Sequence, residues 1–134
     1  MKHKTLFIVC LALMLGVFSG IYAQALSGEK TIGSGGTYTT FTAAINALNS
    51  NGVGEGGVIF NVFAGSVFAE NNPAITATGT VDNPIIFQKT GAGNNPKITP
   101  SGSAGTADAG IIIHGGDYIT FDGIDINSSA VTAV

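Results

Sequence analysis

Asp117, Asp122 and Asp125 are the densest run of carboxylates in a chain of 134 residues. With main-chain carbonyls they make the all-oxygen donor set that a calcium ion prefers. Asp117 and Asp122 also sit beside glycines, where aspartate closes turns through its own backbone, and Asp125 suits a solvated outward position. No glycine–aspartate repeat of the calcium-binding roll type is present. Turn chemistry is therefore the expected role. No cofactor is required, and calcium at these three aspartates is the one metal the sequence would support.

His114 is the only histidine outside the first few residues and invites a general-base role. A base needs an orienting partner and an electrophilic stabiliser, and the surrounding residues supply neither. Glu55 and Glu70 lie in loops without a second carboxylate at comparable spacing, so no glycosidase pair can be nominated. Lys89 and Lys97 each follow a buried-type strand or a turn proline, which makes poor general bases of them. Gly33-Ser34-Gly35-Gly36 lacks the lysine of a phosphate-binding loop and reads as a turn, and Asn127-Ser128-Ser129 is a bare glycosylation sequon. No catalytic and no cofactor-binding residue is expected in this chain.

The elements that hold these residues are short strands. Gly110 to Ile126 breaks into three apolar clusters, Ile111–Ile113, Tyr118–Phe121 and Ile124–Ile126, parted by Gly-Gly-Asp and Asp-Gly corners. Ile119 and Phe121 share a face by period two, while Ile124 and Ile126 have the opposite parity, so the chain must bend at Asp122-Gly123 to bury them all. The pattern repeats upstream. Asn71-Asn72-Pro73-Ala74-Ile75-Thr76 recurs as Asn94-Asn95-Pro96-Lys97-Ile98-Thr99, and Gly115 to Thr120 fits the same slot. A second series, Val58-Ile59-Phe60, Ile85-Ile86-Phe87 and Ile111-Ile112-Ile113, alternates with the first. Repeats of roughly 20 to 50 residues built from short β-branched strands mark a solenoid, and like pairing with like one coil later requires parallel stacking. The expected class is all-β, the start of a right-handed parallel β-helix of about three coils. Registered stacking would lay Asn61, Gln88 and His114 in one polar ladder and Thr76, Thr99 and Thr120 in another.

Ahead of the first coil, Phe41, Ala44, Ile45 and Leu48 recur at helical spacing behind a capping threonine, Thr39 or Thr40. This short helix is expected to cover the open end of the solenoid. Residues 1–25 have the basic start, apolar core and small-residue cleavage pattern, Ala23-Gln24-Ala25, of a secretory signal. Cys10 lies inside it, so the mature chain would have no thiol. Outside that signal three lysines face eight carboxylates, a net charge of −5, and no arginine occurs. Such a surface does not attract nucleic acid or anionic lipid. The expected divisions are the signal at 1–25, an N-terminal strand and capping helix at 26–57, and coils at 58–134.

Tyr38-Thr39-Thr40-Phe41-Thr42-Ala43-Ala44-Ile45-Asn46-Ala47-Leu48, followed by Val58 to Val62 and Gly65-Ser66-Val67, resembles the N-terminal cap and first coil of pectin-lyase-like right-handed parallel β-helices. The Gly116 to Ile126 coil is most similar to those of large exported bacterial surface proteins within that superfamily. Val67 stands where the family usually carries an aromatic. The resemblance implies calcium-binding acids with an arginine or lysine base for the lyases, and two aspartates with an arginine for the esterases. Without arginine the esterase set is incomplete here.

The function expected is that of a secreted structural or adhesive scaffold at the cell surface, with no catalysis of its own. The alternative is the N-terminal part of a polysaccharide lyase or carbohydrate esterase whose active site lies beyond residue 134. Expected partners are polysaccharide or other surface proteins, with no stable membrane insertion after signal cleavage and end-to-end self-association at an uncapped last coil. A carbohydrate-binding module would show exposed aromatic platforms, for which only Tyr38 and Tyr118 are candidates. Ending just past its last strand, the chain is expected to be a fragment of a longer protein.

Overall fold

The computed structural model of the chain describes residues 24–100 and 109–127. The expected signal at 1–25, apart from Gln24 and Ala25, and the segment after Asn127, with the two serines of the sequon, lie outside them. The described chain is mostly strand: β1 (Leu26–Ile32), β2 (Val53–Phe63), β3 (Val67–Phe68), β4 (Ile85–Thr90), β5 (Lys97–Ile98), β6 (Ile119–Asp122) and β7 (Asp125–Ile126), with one helix, α1 (Phe41–Asn51). The strands form two sheets, ordered β1-β2-β4-β6 and β3-β5-β7, and every neighbouring pair is parallel. Isolated bridges join Ile75 to Ile113 and Ile32 to Tyr38, also in parallel.

Period two decides what enters the core. Val58, Phe60 and Val62 of β2 and Ile85 and Phe87 of β4 are buried, while the residues between them are half-exposed. Register places Phe60, Phe87 and Phe121 in one column. Their rings stack, with centroids 4.6 Å apart for Phe60 and Phe87 and 4.9 Å for Phe87 and Phe121. Successive strands approach each other closely at Gly57, where φ is 78° and an added Cβ would stand 2.5 Å from the Pro84 carbonyl oxygen. Only glycine is tolerated there.

Helix α1 follows from its apolar spacing and its ends. Thr40, extended at φ −139° and ψ 159°, caps it, its Oγ1 accepting from the Ala43 N–H at 3.0 Å. Gly52 ends it at φ 69°, donating to the Leu48 carbonyl at 2.8 Å. Phe41, Ala44, Ile45 and Leu48 are buried, and the Phe41 ring meets Phe68 edge-on at 5.0 Å. The helix therefore closes one side of the core formed by the sheets.

The last part of the described chain is threaded differently from the expected repeat pattern. Ile111–Ile113 was expected to follow Val58–Phe60 and Ile85–Phe87, yet β4 pairs with Ile119–Asp122 instead. β2, β4 and β6 each carry a phenylalanine at the register position of the ring column, whereas Ile111–Ile113 has none to extend it. Ile75, Ile98 and Ile119, one series in the sequence, fall in three columns, paired with Ile113, Ile126 and Ile85 respectively. The Asn-Asn-Pro motif closes turns at more than one corner, so its recurrence does not set register. Both expected ladders change as a result. The Gln88 Nε2 donates to Asn61 Oδ1 at 2.9 Å, but the residue beside Gln88 in β6 is Asp122, and His114 lies on another face. Thr120 sits beside Ile86, Thr99 donates its N–H to the Phe68 carbonyl and Thr76 donates to Asn49, so no threonine ladder forms.

Candidate functional site

Strands β3, β5 and β7 are two residues each, so one residue of each faces inward and one outward. Phe68 and Ile98 are buried. Val67, Lys97 and Asp125 are register partners and stand in one outward column. The connection from β4 to β5 is longer than those from β2 to β3 and from β6 to β7, and it forms a ledge beside that column. Main-chain bonds fix its base: the Gly65 N–H donates to the Asn94 carbonyl at 2.8 Å and the Asp125 N–H to the Pro96 carbonyl at 2.9 Å. The Lys89 ammonium donates to the Gly93 carbonyl and ties the ledge back to β4. Gly123, at φ 65°, lets the chain between β6 and β7 pass over Lys89, whose Cβ would be 3.1 Å from an added Cβ.

Column and ledge enclose a cleft of about 480 Å³ lined by Gly65, Val67, Asn94, Asn95, Lys97 and Asp125 among others. Asn95 Nδ2 donates to Asp125 Oδ1 at 2.9 Å, which orients the carboxylate. The cleft thus sets an ammonium, an oriented carboxylate and side-chain amides next to one apolar side chain. That arrangement can bind by reversible hydrogen bonding. In the sequence Lys97 reads as a poor base and Asp125 as a calcium candidate or a solvated acid; their shared cleft depends on pairing between strands apart in the chain.

A second cleft, of about 460 Å³, lies at the start of α1 and meets the first at Val67. Its acid, Glu70, is a helix cap. Oε1 accepts from the Phe41 N–H at 2.9 Å and Oε2 from the Thr42 N–H at 3.0 Å, so both oxygens hold free donors of the first turn. Next to it the buried Asn72 accepts from Thr42 Oγ1 at 3.2 Å and donates to the Gly110 carbonyl at 2.8 Å. Glu70→Ala is expected to cost about 1–2 kcal/mol of unfolding free energy, measured by urea denaturation. An unchanged midpoint would show that water replaces the carboxylate without cost.

The three aspartates singled out for calcium do not converge. Asp117 is at a corner, its N–H donating to Thr78 Oγ1 at 3.1 Å; Asp122 faces outward beside Gln88 on the first sheet, and Asp125 lies in the cleft. Among the described residues no three His, Cys, Asp or Glu side chains are grouped to hold a metal ion. His114 is exposed and its N–H donates to the Ile75 carbonyl at 2.9 Å. Glu55 is exposed on β2, which is strand where a loop was expected. Tyr38 is half-buried, its ring centroid 6.0 Å from that of Phe60, and burial pushes its phenol above the ordinary value. Tyr118 is 57 % exposed at φ 54°, the one non-glycine residue with positive φ among those described. No helix among the described residues is long and apolar enough to cross a membrane. No family model, no curated protein and no solved structure matches the chain.

Proposed function

We propose that the chain is a helix-capped right-handed parallel β-helix of the pectin-lyase-like kind, exported and used as a structural or adhesive scaffold in the extracellular space or at the cell surface. The observation that supports it is the in-register stacking of parallel strands from successive turns of the chain on two sheets, with one ring column running through them. A stack of this type presents long, regular outer faces whose side chains can vary without disturbing the core. Export rests on the signal-like residues 1–25, and the scaffold role on the accessibility of the outward columns.

Expression of the full chain in a bacterial host, followed by fractionation and protease treatment of intact cells, tests the reading. The chain is expected outside the cytoplasm and cleavable on intact cells or in the medium, with a β-rich far-ultraviolet spectrum once purified. Retention in the cytoplasm would defeat the export reading, and a helical or random spectrum would defeat the solenoid. Release of unsaturated or de-esterified sugars from pectic polymers by the purified chain would replace the scaffold with an enzyme.

A further inference from the structure

We propose that Lys30 is a built-in lock that keeps the strands of other chains off the free edge of β1. The lock goes beyond the scaffold reading and does not depend on it, since it concerns only how the first sheet ends. Among the described strands β1 is outermost in that sheet, with β2 on one side and no strand on the other. Unpaired main-chain groups along such an edge are a template for strand addition. The self-association expected from the sequence concerns the opposite end, where β6 and β7 are outermost.

Alternation along β1 decides what lies at the edge. Ile32 is buried, and Lys30 shares its face by period two. Register agrees, because Lys30 stands beside Phe60 and Ile32 beside Val62, both buried. A lysine thus takes the core-facing position that Phe60 and Phe87 hold in β2 and β4. An inward charge on an outermost strand is one way in which a sheet edge is protected from pairing. From there the half-buried side chain turns back to the main chain, its ammonium donating to the Ser27 carbonyl at 2.7 Å and, at longer reach, to the Glu29 carbonyl at 3.5 Å. Glu29 leaves on the other face, where its Oε2 accepts from Asn61 Nδ2 at 3.1 Å.

The chain that follows closes the rest of the edge. The Thr31 N–H donates to Thr37 Oγ1 at 3.2 Å, the Thr31 carbonyl accepts from the Tyr38 N–H at 2.9 Å, and the Gly33 N–H donates to the Tyr38 carbonyl at 2.9 Å. This return covers Thr31 to Gly33 and leaves Ser27 to Glu29 to Lys30. An incoming strand needs the Ser27 and Glu29 carbonyls as acceptors and must displace the ammonium. A core stacked onto β1 would then bury that ammonium without a partner. The edge is also uneven: β2 runs from Val53 to Val58 over the span in which β1 advances only from Leu26 to Gly28, and Gly28 stands at φ 67°. Such irregularities turn an edge away from pairing.

Sedimentation velocity over a concentration series, with hydrogen exchange at the Ser27 and Glu29 amides, tests the lock on the purified chain and its variants. Lys30→Met keeps an unbranched apolar side chain and removes the charge and the donor. Its weight-average mass is expected to exceed that of the parent by at least about twofold at equal concentration, the least that pairing along one edge produces. Exchange at Ser27 and Glu29 should slow as the mass rises. Lys30→Arg keeps charge and donors and should match the parent. If Lys30→Met does not fold by circular dichroism, Lys30→Gln, polar but uncharged, decides by the same two readouts. The proposal is overturned if a folded neutral variant sediments like the parent, if Lys30→Arg assembles as far, or if the added mass leaves exchange at Ser27 and Glu29 unchanged. Assembly of the parent itself that slows those two amides overturns it as well. Export enters neither readout, so failure of the lock and failure of the scaffold reading are told apart.

Discussion

Phe87→Ala is expected to lower the unfolding free energy by about 3–5 kcal/mol, the cost of deleting a large buried ring whose surroundings cannot collapse onto the space. Phe87 is fully buried and lies between two rings, 4.6 Å from Phe60 at 12° and 4.9 Å from Phe121 at 7°, with Phe41 of the capping helix 5.9 Å away. Closure of the cavity is opposed from both sides. Strands β2 and β6 are held at hydrogen-bonding distance from β4, which prevents the neighbouring rings from moving together. Against a typical stability of about 5–15 kcal/mol, the loss removes a large share. Urea denaturation followed by circular dichroism measures it, and Phe87→Leu, which restores much of the volume, should recover more than half. A loss for the alanine variant below about 1 kcal/mol would mean that the ring column is not a closed core.

That column also shows why the fold was only partly legible. Helix α1 can be read directly because its signals are local: Phe41, Ala44, Ile45 and Leu48 recur at helical spacing, with Thr40 before them and Gly52 after. The Asn61–Gln88 rung is legible because Val58-Ile59-Phe60 and Ile85-Ile86-Phe87 match residue for residue. The next strand breaks the pattern. By hydrophobicity Ile111–Ile113 looks more like those strands than Ile119–Asp122 does, but only Ile119–Asp122 supplies a ring to the column. A one-position signal, phenylalanine third in the strand, would have chosen correctly. Glu70 had no comparable signal, because its partners Phe41 and Thr42 precede it by a helix and two strands. The Lys97–Asp125 cleft is invisible for the same reason: its members become neighbours only when β5 and β7 pair.

Asn49→Ala should be the most damaging change at a polar side chain, with an expected loss of about 2–4 kcal/mol. The stretch around Ile75 has Ile113 on one side, where the Ile75 N–H donates to the Ile112 carbonyl and the His114 N–H to the Ile75 carbonyl. On its other side is α1 rather than a strand, and the Asn49 amide completes the pairing. Nδ2 donates to the Ala74 carbonyl at 2.8 Å, and Oδ1 accepts from the N–H groups of Thr76 at 2.9 Å and Ala77 at 3.2 Å. This is the donor and acceptor pattern that a residue of a parallel neighbour would present. One side chain thereby lets a helix stand beside a strand edge that would otherwise be open. Alanine leaves three main-chain groups to find water in a half-buried setting. Aspartate separates the two halves of the role. Its oxygen can still accept from Thr76 and Ala77, but a second oxygen replaces the donor and faces the Ala74 carbonyl. Hydrogen exchange at Thr76 and Ala77 should therefore accelerate by about tenfold or more in the alanine variant and less in the aspartate variant, while both lose stability. Exchange at those two amides unaffected by alanine would show that the helix covers the edge by packing alone and that the amide is incidental.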